Sequence, residues 1–397
     1  MSHDGTAPRR ALLLLACAGF VSGASMRVAE PLLPTLAREF GAGVREASVV
    51  LAAFSVAYGS FQIVHGPLGD RVGKLRLATA AMLLAAVAAM ACAAASSIEA
   101  LSALRFATGM FSGAIIPLSL AWIGDHVDYA HRQAVLGRFV AGTLLGQSFG
   151  PLLGGTLSDL AGWHATFVAL GAAFLLVGFA LAADARHDRG KTSGAPVAAW
   201  RQYLAILRSP RARPVLFTVG VEGFLFFGAL GFVGAYAHQR FGLSDTATGV
   251  LVAGFGVGGV AYSLLVRQLV GRLGEAGLVV AGGVTLLGCF LALACMPLLA
   301  VAATAVGVMG LGFYMLHNTL QTRATEMAPD ARGAGVSFFA LCLFLGQAAG
   351  VSTFGLMVER FGYRWPFVAA GAGLAALAWW FSARLMALRS RPPAGYG

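Results

Sequence analysis

Apolar segments of about twenty residues, separated by short polar stretches, recur twelve times along the chain. They fall near 11–33, 46–66, 76–95, 99–121, 135–157 and 164–183, then near 214–237, 247–267, 277–296, 299–321, 335–357 and 365–386. A helix of about 20 apolar residues matches the hydrocarbon layer of a bilayer, so the pattern predicts twelve membrane-spanning helices. The longest polar stretch, DARHDRGKTSGAPVAAWRQYLAILRSPRARP, divides them six and six. This gives an N-terminal half over 1–183, a cytoplasmic linker over 184–213, and a C-terminal half with a short tail over 214–397. Within the linker, WRQYLAILR reads as a short amphipathic helix on the membrane surface.

The two halves repeat each other. A shift of 200 residues lays LGQSFG at 145–150 on LGQAAG at 345–350, Arg132 on Arg332, and GWHATF at 162–167 on GYRWPF at 362–367. A shift of 201 lays DRVG at 70–73 on GRLG at 271–274. Six helices are an even number, so both copies keep one orientation. Parallel six-helix halves are an architecture of secondary transporters, with substrate held near the midplane between them. The expected fold class is therefore an all-α membrane protein of twelve transmembrane helices in two parallel halves.

Composition narrows this further. The chain is 58% hydrophobic and 11% charged, whereas a soluble domain is about a quarter charged. With the N-terminus in the cytoplasm, 21 of the 28 Lys and Arg residues fall on cytoplasmic segments, so both termini are expected there. The net charge of +11 then reports topology, and no nucleic-acid partner is expected. APRRALLLLACAGFVSGASM imitates a signal peptide, but the apolar run continues to about Pro34 and reads as a retained first span. Cys17, Cys92, Cys289, Cys295 and Cys342 have no metal-type spacing and read as small buried hydrophobes.

Three motifs stand out. HGPLGDRVGKLR at 65–76 sets Asp70, Arg71 and Lys74 around Gly66 and Gly73, after the second span. LSALRFATGMFSG at 101–113 puts Arg105 four residues before a glycine in the fourth. GTLLGQSFGPLLGG at 142–155 carries Gly142, Gly146, Gly150, Pro151, Gly154 and Gly155 in the fifth. With these the chain resembles a major facilitator superfamily transporter over essentially its whole length, and the fifth-span motif resembles that of the twelve-span drug:proton antiporter family.

The resemblance implies a latch at Asp70, with Arg71, Lys74 and the two glycines shaping the loop. Arg132, Arg138 or the N-terminus of a span are its candidate partners in the outward-facing state. It also implies that spans five and eight meet across the halves and that the glycine motif limits leak. Residues four apart advance about 40° around a helix, so the glycines form a slowly winding groove suited to close backbone packing. Gly254 and Gly258 offer the same spacing in span eight, making it the expected partner. Pro151 removes a backbone hydrogen bond and allows a bend. Span eleven keeps Gly346, Gly350 and Gly355 but has Val351 and Phe354.

Ionisable residues inside spans are functional candidates by default. Arg27 and Glu30 lie three apart on one face of span one. Arg105 lies in span four and Glu222 in span seven. Burial and a neighbouring arginine act on a carboxyl in opposite senses, so a glutamate under both can change protonation as its exposure alternates. Glu30 is the expected proton carrier, with Arg105 tuning it and Arg27 beside it; a structural Arg27–Glu30 pair is the plainer alternative. Glu222 reads as a second proton site or a contact for cationic cargo.

Tyr58, Gln62, Gln147, Tyr314, His317, Asn318 and Gln347 are polar candidates for the cavity lining, with Phe224, Phe226, Phe227 and Phe232 as an apolar wall. The histidines of DHVDYAH at 125–131 do not share a helical face, so no metal site is expected. No P-loop, nucleophile elbow or HExxH motif is present. No catalysis and no cofactor is expected, the proton gradient supplying the energy.

The reading is a monomeric, multi-pass inner (plasma) membrane exporter of a small molecule, drug-like or metabolite, with protons and the lipid bilayer as its other partners. A proton-coupled importer, or a non-transporting receptor on the same fold, are the alternatives. Cargo of either charge, or a zwitterion, fits the charges present.

Overall fold

A computed structural model describes residues 9–186, 196–328 and 332–389. The middle of the expected linker, the side chain of Arg332 and the end of the tail lie outside the described residues. The first six expected segments become α1 (Arg9–Arg27), α2 (Leu33–Glu39), α3 (Val44–Val72), α4 (Lys74–Cys92), α5 (Ile98–Ser112), α6 (Ile115–His126), α7 (Tyr129–Ala161) and α8 (Trp163–Ala185). The amphipathic linker helix is α9 (Pro196–Arg208). Beyond it come α10 (Ala212–Glu222), a π-helical turn (Gly223–Phe227), α11 (Gly228–Leu230), α12 (Val233–Phe241) and α13 (Asp245–Ala253). Then follow α14 (Phe255–Cys295), α15 (Leu299–Glu326), α16 (Arg332–Phe361) and α17 (Arg364–Arg389).

Among the described residues, ten helical stretches are long and apolar enough to cross a membrane. The glycine-rich α7 is not one of them, and the eighth and ninth expected spans run together as Asp245–Cys295. At 1.5 Å per residue, a straight helix of 51 residues is about 75 Å long, well beyond the hydrocarbon layer. Gly274, at φ 62° and ψ 178°, breaks it.

Gly274 shows that the repeat reaches the backbone. Among the described residues six glycines have positive φ: Gly41, Gly73, Gly162, Gly242, Gly274 and Gly362. They form the pairs 41/242, 73/274 and 162/362, at the sequence offsets of 201, 201 and 200. An L-residue is strained at such angles and glycine is not, so glycine is called for at the same three places in each half.

The first span is not one helix. Pro31 and Pro34 lack the N–H that would continue α1, and turns occupy residues 28–32 between α1 and α2. Span seven is broken in a related place, by the π-helical turn after Glu222 and by turns at Gly231 and Phe232.

The glycine groove of α7 meets a different helix from the one expected. A Cβ added at Gly142, Gly146, Gly150 or Gly154 would strike the carbonyl oxygen of Ala16, Phe20, Ala24 or Val28 respectively, all on or just beyond α1. The stripe therefore seats span five on span one, inside its own half. The repeat does the same: Gly346 and Gly350 of α16 press on the carbonyls of Gly220 and Phe224 in span seven. Span eight does pack on α7, but through Gly155 against the Asp245 carbonyl and Gly249 against the Pro151 carbonyl. Gly258 instead faces Gly307 and Gly310 of α15. A groove specifies close approach, not the identity of the partner. The other seam between the halves joins α3 to α16.

Only two cysteines read as buried are so, Cys92 and Cys289; Cys342 is half-buried, and Cys17 and Cys295 are exposed. An apolar residue on the outer face of a span meets lipid at no cost, so apolarity does not predict burial inside the protein.

Candidate functional site

Arg27 ends α1 and Glu30 sits in the turn beyond it. The turn brings the side chains together: Arg27 Nε donates to Glu30 Oε1 at 2.9 Å and Nη2 donates to Oε2 at 2.8 Å. Both residues are buried. The pair also lies against the other half. The guanidinium carbon of Arg27 is 5.1 Å from the centre of the Phe255 ring, at the start of α14. The Glu30 carbonyl abuts Gly234 of α12. Arg27 Nη1 is buried without a hydrogen-bond partner.

Arg105 does not bond Glu30. Its Nη2 donates to the carbonyl of Ser25 at 2.9 Å, and its guanidinium lies 4.2 Å from the Phe54 ring centre. The last carbonyls of a helix lack intrahelical partners, and the Ser25 carbonyl is one of them, in the final turn of α1. A cation there is also favoured by the helix dipole. Arg105 thus caps α1 where it breaks, and holds the turn that carries Glu30. Only Nη2 is engaged in that cap; Nε and Nη1 are buried without a hydrogen-bond partner, and Glu30 is bonded by Arg27 instead.

Glu222 ends α10, where the chain passes into the π-helical turn. Insertions of this kind occur often at functional sites. Glu222 is fully buried, and its Oε2 lies 2.8 Å from Nδ1 of His317 on α15. Oε1 has no partner. His317, expected in the cavity lining, is therefore the partner of an acid 95 positions earlier. It stacks on Phe313 at 4.8 Å and 16°. Phe313 in turn stacks on Phe226 at 4.4 Å and stands 5.7 Å from Phe255. Arg27, Phe255, Phe313 and His317 form a column connecting the two buried acids across the halves.

The other cavity candidates divide. Phe227 and Tyr314 pack edge-on to Phe313, and Asn318 Nδ2 donates to the Tyr262 hydroxyl at 3.0 Å. Tyr58 is buried in the α3–α16 seam, 4.6 Å from Phe344. Gln62 is buried, while Gln147 and Gln347 are half-buried beside the backbones of α1 and the π-helical turn.

In the loop signature Asp70 pairs with Lys74 at 3.4 Å, and Lys74 also binds Asp125 at the end of α6. The candidate partner Arg132 donates to the Val127 carbonyl instead. Arg71 is exposed and Gly66 stands in open space. Sequence reading missed Phe255 and Phe313, which no motif marks. It also missed Asp159 and Asp245, which lie at repeat positions 359 and 45 and were open to discovery by the 200-residue shift.

Apolar helices in two repeated sets, with the buried Arg27–Glu30 pair where the sets meet and Glu222 beside His317 inside the second, mark a multi-pass membrane protein. The sequence model described as Major Facilitator Superfamily matches residues 15–351, and the chain belongs to that family. It is 26% identical over 362 residues to the MFS-type transporter YwfA of Bacillus subtilis, covering 88% of this chain and 86% of that one. It is 29% identical over 168 residues to the multidrug export protein EmrB of Escherichia coli K12, covering 42% of this chain and 33% of that one. In fold it is similar to a bacterial homologue of the human lysosomal transporter Spinster in an inward-facing, occupied conformation. The TM-score there is 0.80 at 16% identity, over 97% of this chain and 98% of that one.

Proposed function

We propose that the chain is a proton-coupled exporter of a small molecule, working by alternating access with twelve spans and both termini in the cytoplasm. The six-helix units are residues 1–183 and 214–397, joined by 184–213. The observation that carries the coupling is the buried Glu30–Arg27 pair, set in a helix break and pressed against Phe255 of the opposite unit. A carboxylic acid there loses or keeps its proton according to whether the units close over it. Glu222 with His317 is the second ionisable pair on the path. Export is supported by the fifth-span motif and by the likeness to a multidrug export protein. The contacts between the units at the end expected to face outward favour an inward-facing state, in which cargo enters from the cytoplasm or inner leaflet. Asp70 and Lys74 serve as the cytoplasmic latch in the opposite state.

The test uses inverted membrane vesicles with an acid interior and a pH-sensitive dye, while compounds of differing charge are added. The expected outcome is that at least one compound collapses the gradient in the wild type and not in Glu30→Gln. Equal collapse in both would move the proton site away from Glu30. Accumulation in right-side-out vesicles driven by an inward proton gradient would reverse the direction to import.

A further inference from the structure

Residues 45, 159, 245 and 359 are two pairs of repeat positions, each separated by 200. They are also where the two units touch at the end expected to face outward. On the α3–α16 seam, Arg45 Nη1 donates to Glu359 Oε2 at 2.9 Å. On the α7–α13 seam the same two positions are both acids, and the chemistry changes. Asp159, near the end of α7, accepts the backbone N–H of Asp245 at 3.2 Å and of Thr246 at 2.7 Å. These are free N–H groups in the first turn of α13, where a negative charge is also favoured by the helix dipole. Asp245 in turn accepts from Thr35 Oγ1 at 2.7 Å and Ser158 Oγ at 2.6 Å.

We propose that Asp159 and Asp245 are the positioning residues of an outer clasp, and that this clasp, rather than the repeat-related Arg45–Glu359 bridge, holds the outward end shut. The inference rests on the alternating-access reading above. The two seams differ in strength for physical reasons. Arg45 and Glu359 have side chains 46% and 51% exposed, and ion pairs in water add little. Asp159 is exposed as well, but hydrogen bonds to its ionised carboxylate are about twice as strong as neutral ones. The seam also closes on Asp245, 4% exposed, whose Oδ2 accepts from Thr35 and Ser158 of the opposite unit while Oδ1 has no hydrogen-bond partner. Gly155 lets the two backbones approach so closely that a Cβ there would overlap the Asp245 carbonyl. Burial pushes the Asp159 carboxyl up, but the hydrogen bonds from Thr246, Ser244 and the Asp245 N–H together outweigh it and hold the carboxyl below its ordinary value. It is therefore ionised at neutral pH. Charged and titratable groups on the flanking elements at this end include Arg38, which donates to Thr35 Oγ1, Glu39 beside it on α2, and His238 and Arg240 at the end of α12.

The clasp is tested in full-length protein in lipid nanodiscs, with the five cysteines replaced and spin labels at Glu39→Cys and Phe361→Cys, both exposed and on opposite units. Pulsed EPR reads the closed and open distances at the outer end. Asp159→Ala, at an exposed position that does not threaten folding, is expected to raise the open-to-closed ratio about tenfold or more, the scale of losing two charge-assisted hydrogen bonds. Asp159→Asn, which keeps one acceptor oxygen, should fall between the wild type and Ala. Arg45→Ala should change the ratio by less than about fivefold. An unchanged distribution in Asp159→Ala, or an equal opening by Arg45→Ala, overturns the proposal. A merely structural role would lower the melting temperature and leave the distances in place. No gradient or cargo enters the measurement, so failure of the clasp and failure of proton coupling remain distinguishable.

Discussion

Glu30 and Glu222 are both buried acids, yet their partners make them unequal. Glu30 takes three hydrogen bonds from one guanidinium, whereas Glu222 has a single histidine and an oxygen left unsatisfied. Removing the histidine leaves the acid buried with nothing. His317→Ala is expected to cost about 1–3 kcal/mol, read as a lower melting temperature in detergent. Adding Glu222→Gln to it should recover part of that loss, because a neutral amide is less costly to bury than a carboxylate. Arg105→Lys should impair transport although the charge is kept, because an ammonium cannot both lie flat on Phe54 and reach the Ser25 carbonyl. Flux per folded protein measures it. The Arg27–Glu30 pair was legible in the sequence because three residues apart is a local relation. Glu222–His317 was not, because only tertiary packing brings residues 95 apart together.

Among elements, the α1–α7 contact is made by backbone on backbone, which makes its tolerance sharply positional. Gly146→Ala must drive a methyl group into the Phe20 carbonyl, and overpacking of this kind costs about 1–3 kcal/mol. Gly66→Ala meets no atom within 4 Å and should stabilise slightly or do nothing. Paired thermal melts decide the point, and equal effects would refute the packing account. The linker helix offers a milder case. Tyr203 donates from its hydroxyl to the Ile63 carbonyl at 3.3 Å and sets its ring 6.0 Å from that of Phe338. Tyr203→Phe should therefore cost little and Tyr203→Ala distinctly more, since the hydroxyl reaches α3 by one long hydrogen bond while the buried ring packs on α16. Apolar run lengths placed nearly all of these helices in advance. What they could not give was the breaks at residues 28–32 and 223–227, where local turns override a uniformly apolar pattern, or the helix that each groove accepts.

At the scale of the molecule, α7 is closed in near its end at Ser158 and open at its middle. Leu144, Leu145 and Phe149 have 37%, 48% and 46% of their surface free, while Thr35 and Ser158 are enclosed around Asp245. In a cysteine-free background, Leu144→Cys should react with a membrane-impermeant maleimide in inverted vesicles, and Ser158→Cys should stay protected from either side. Reaction of Ser158→Cys from outside in most molecules would mean that the resting state is outward-facing. The sequence made the duplication visible, and three pairs of left-handed glycines carry it into the backbone; it could not say that one pair of positions closes the two seams by different chemistry. The aromatic column has a further consequence. Its first step is a guanidinium resting on a ring from the opposite unit, so any swing that parts α1 from α14 takes that ring away. Arg27 is then left to Glu30 alone. On the proposed mechanism, proton hold and domain posture would be registered on a single side chain, a clutch that divides its charge between acid and ring when engaged and returns the whole of it to the acid when disengaged.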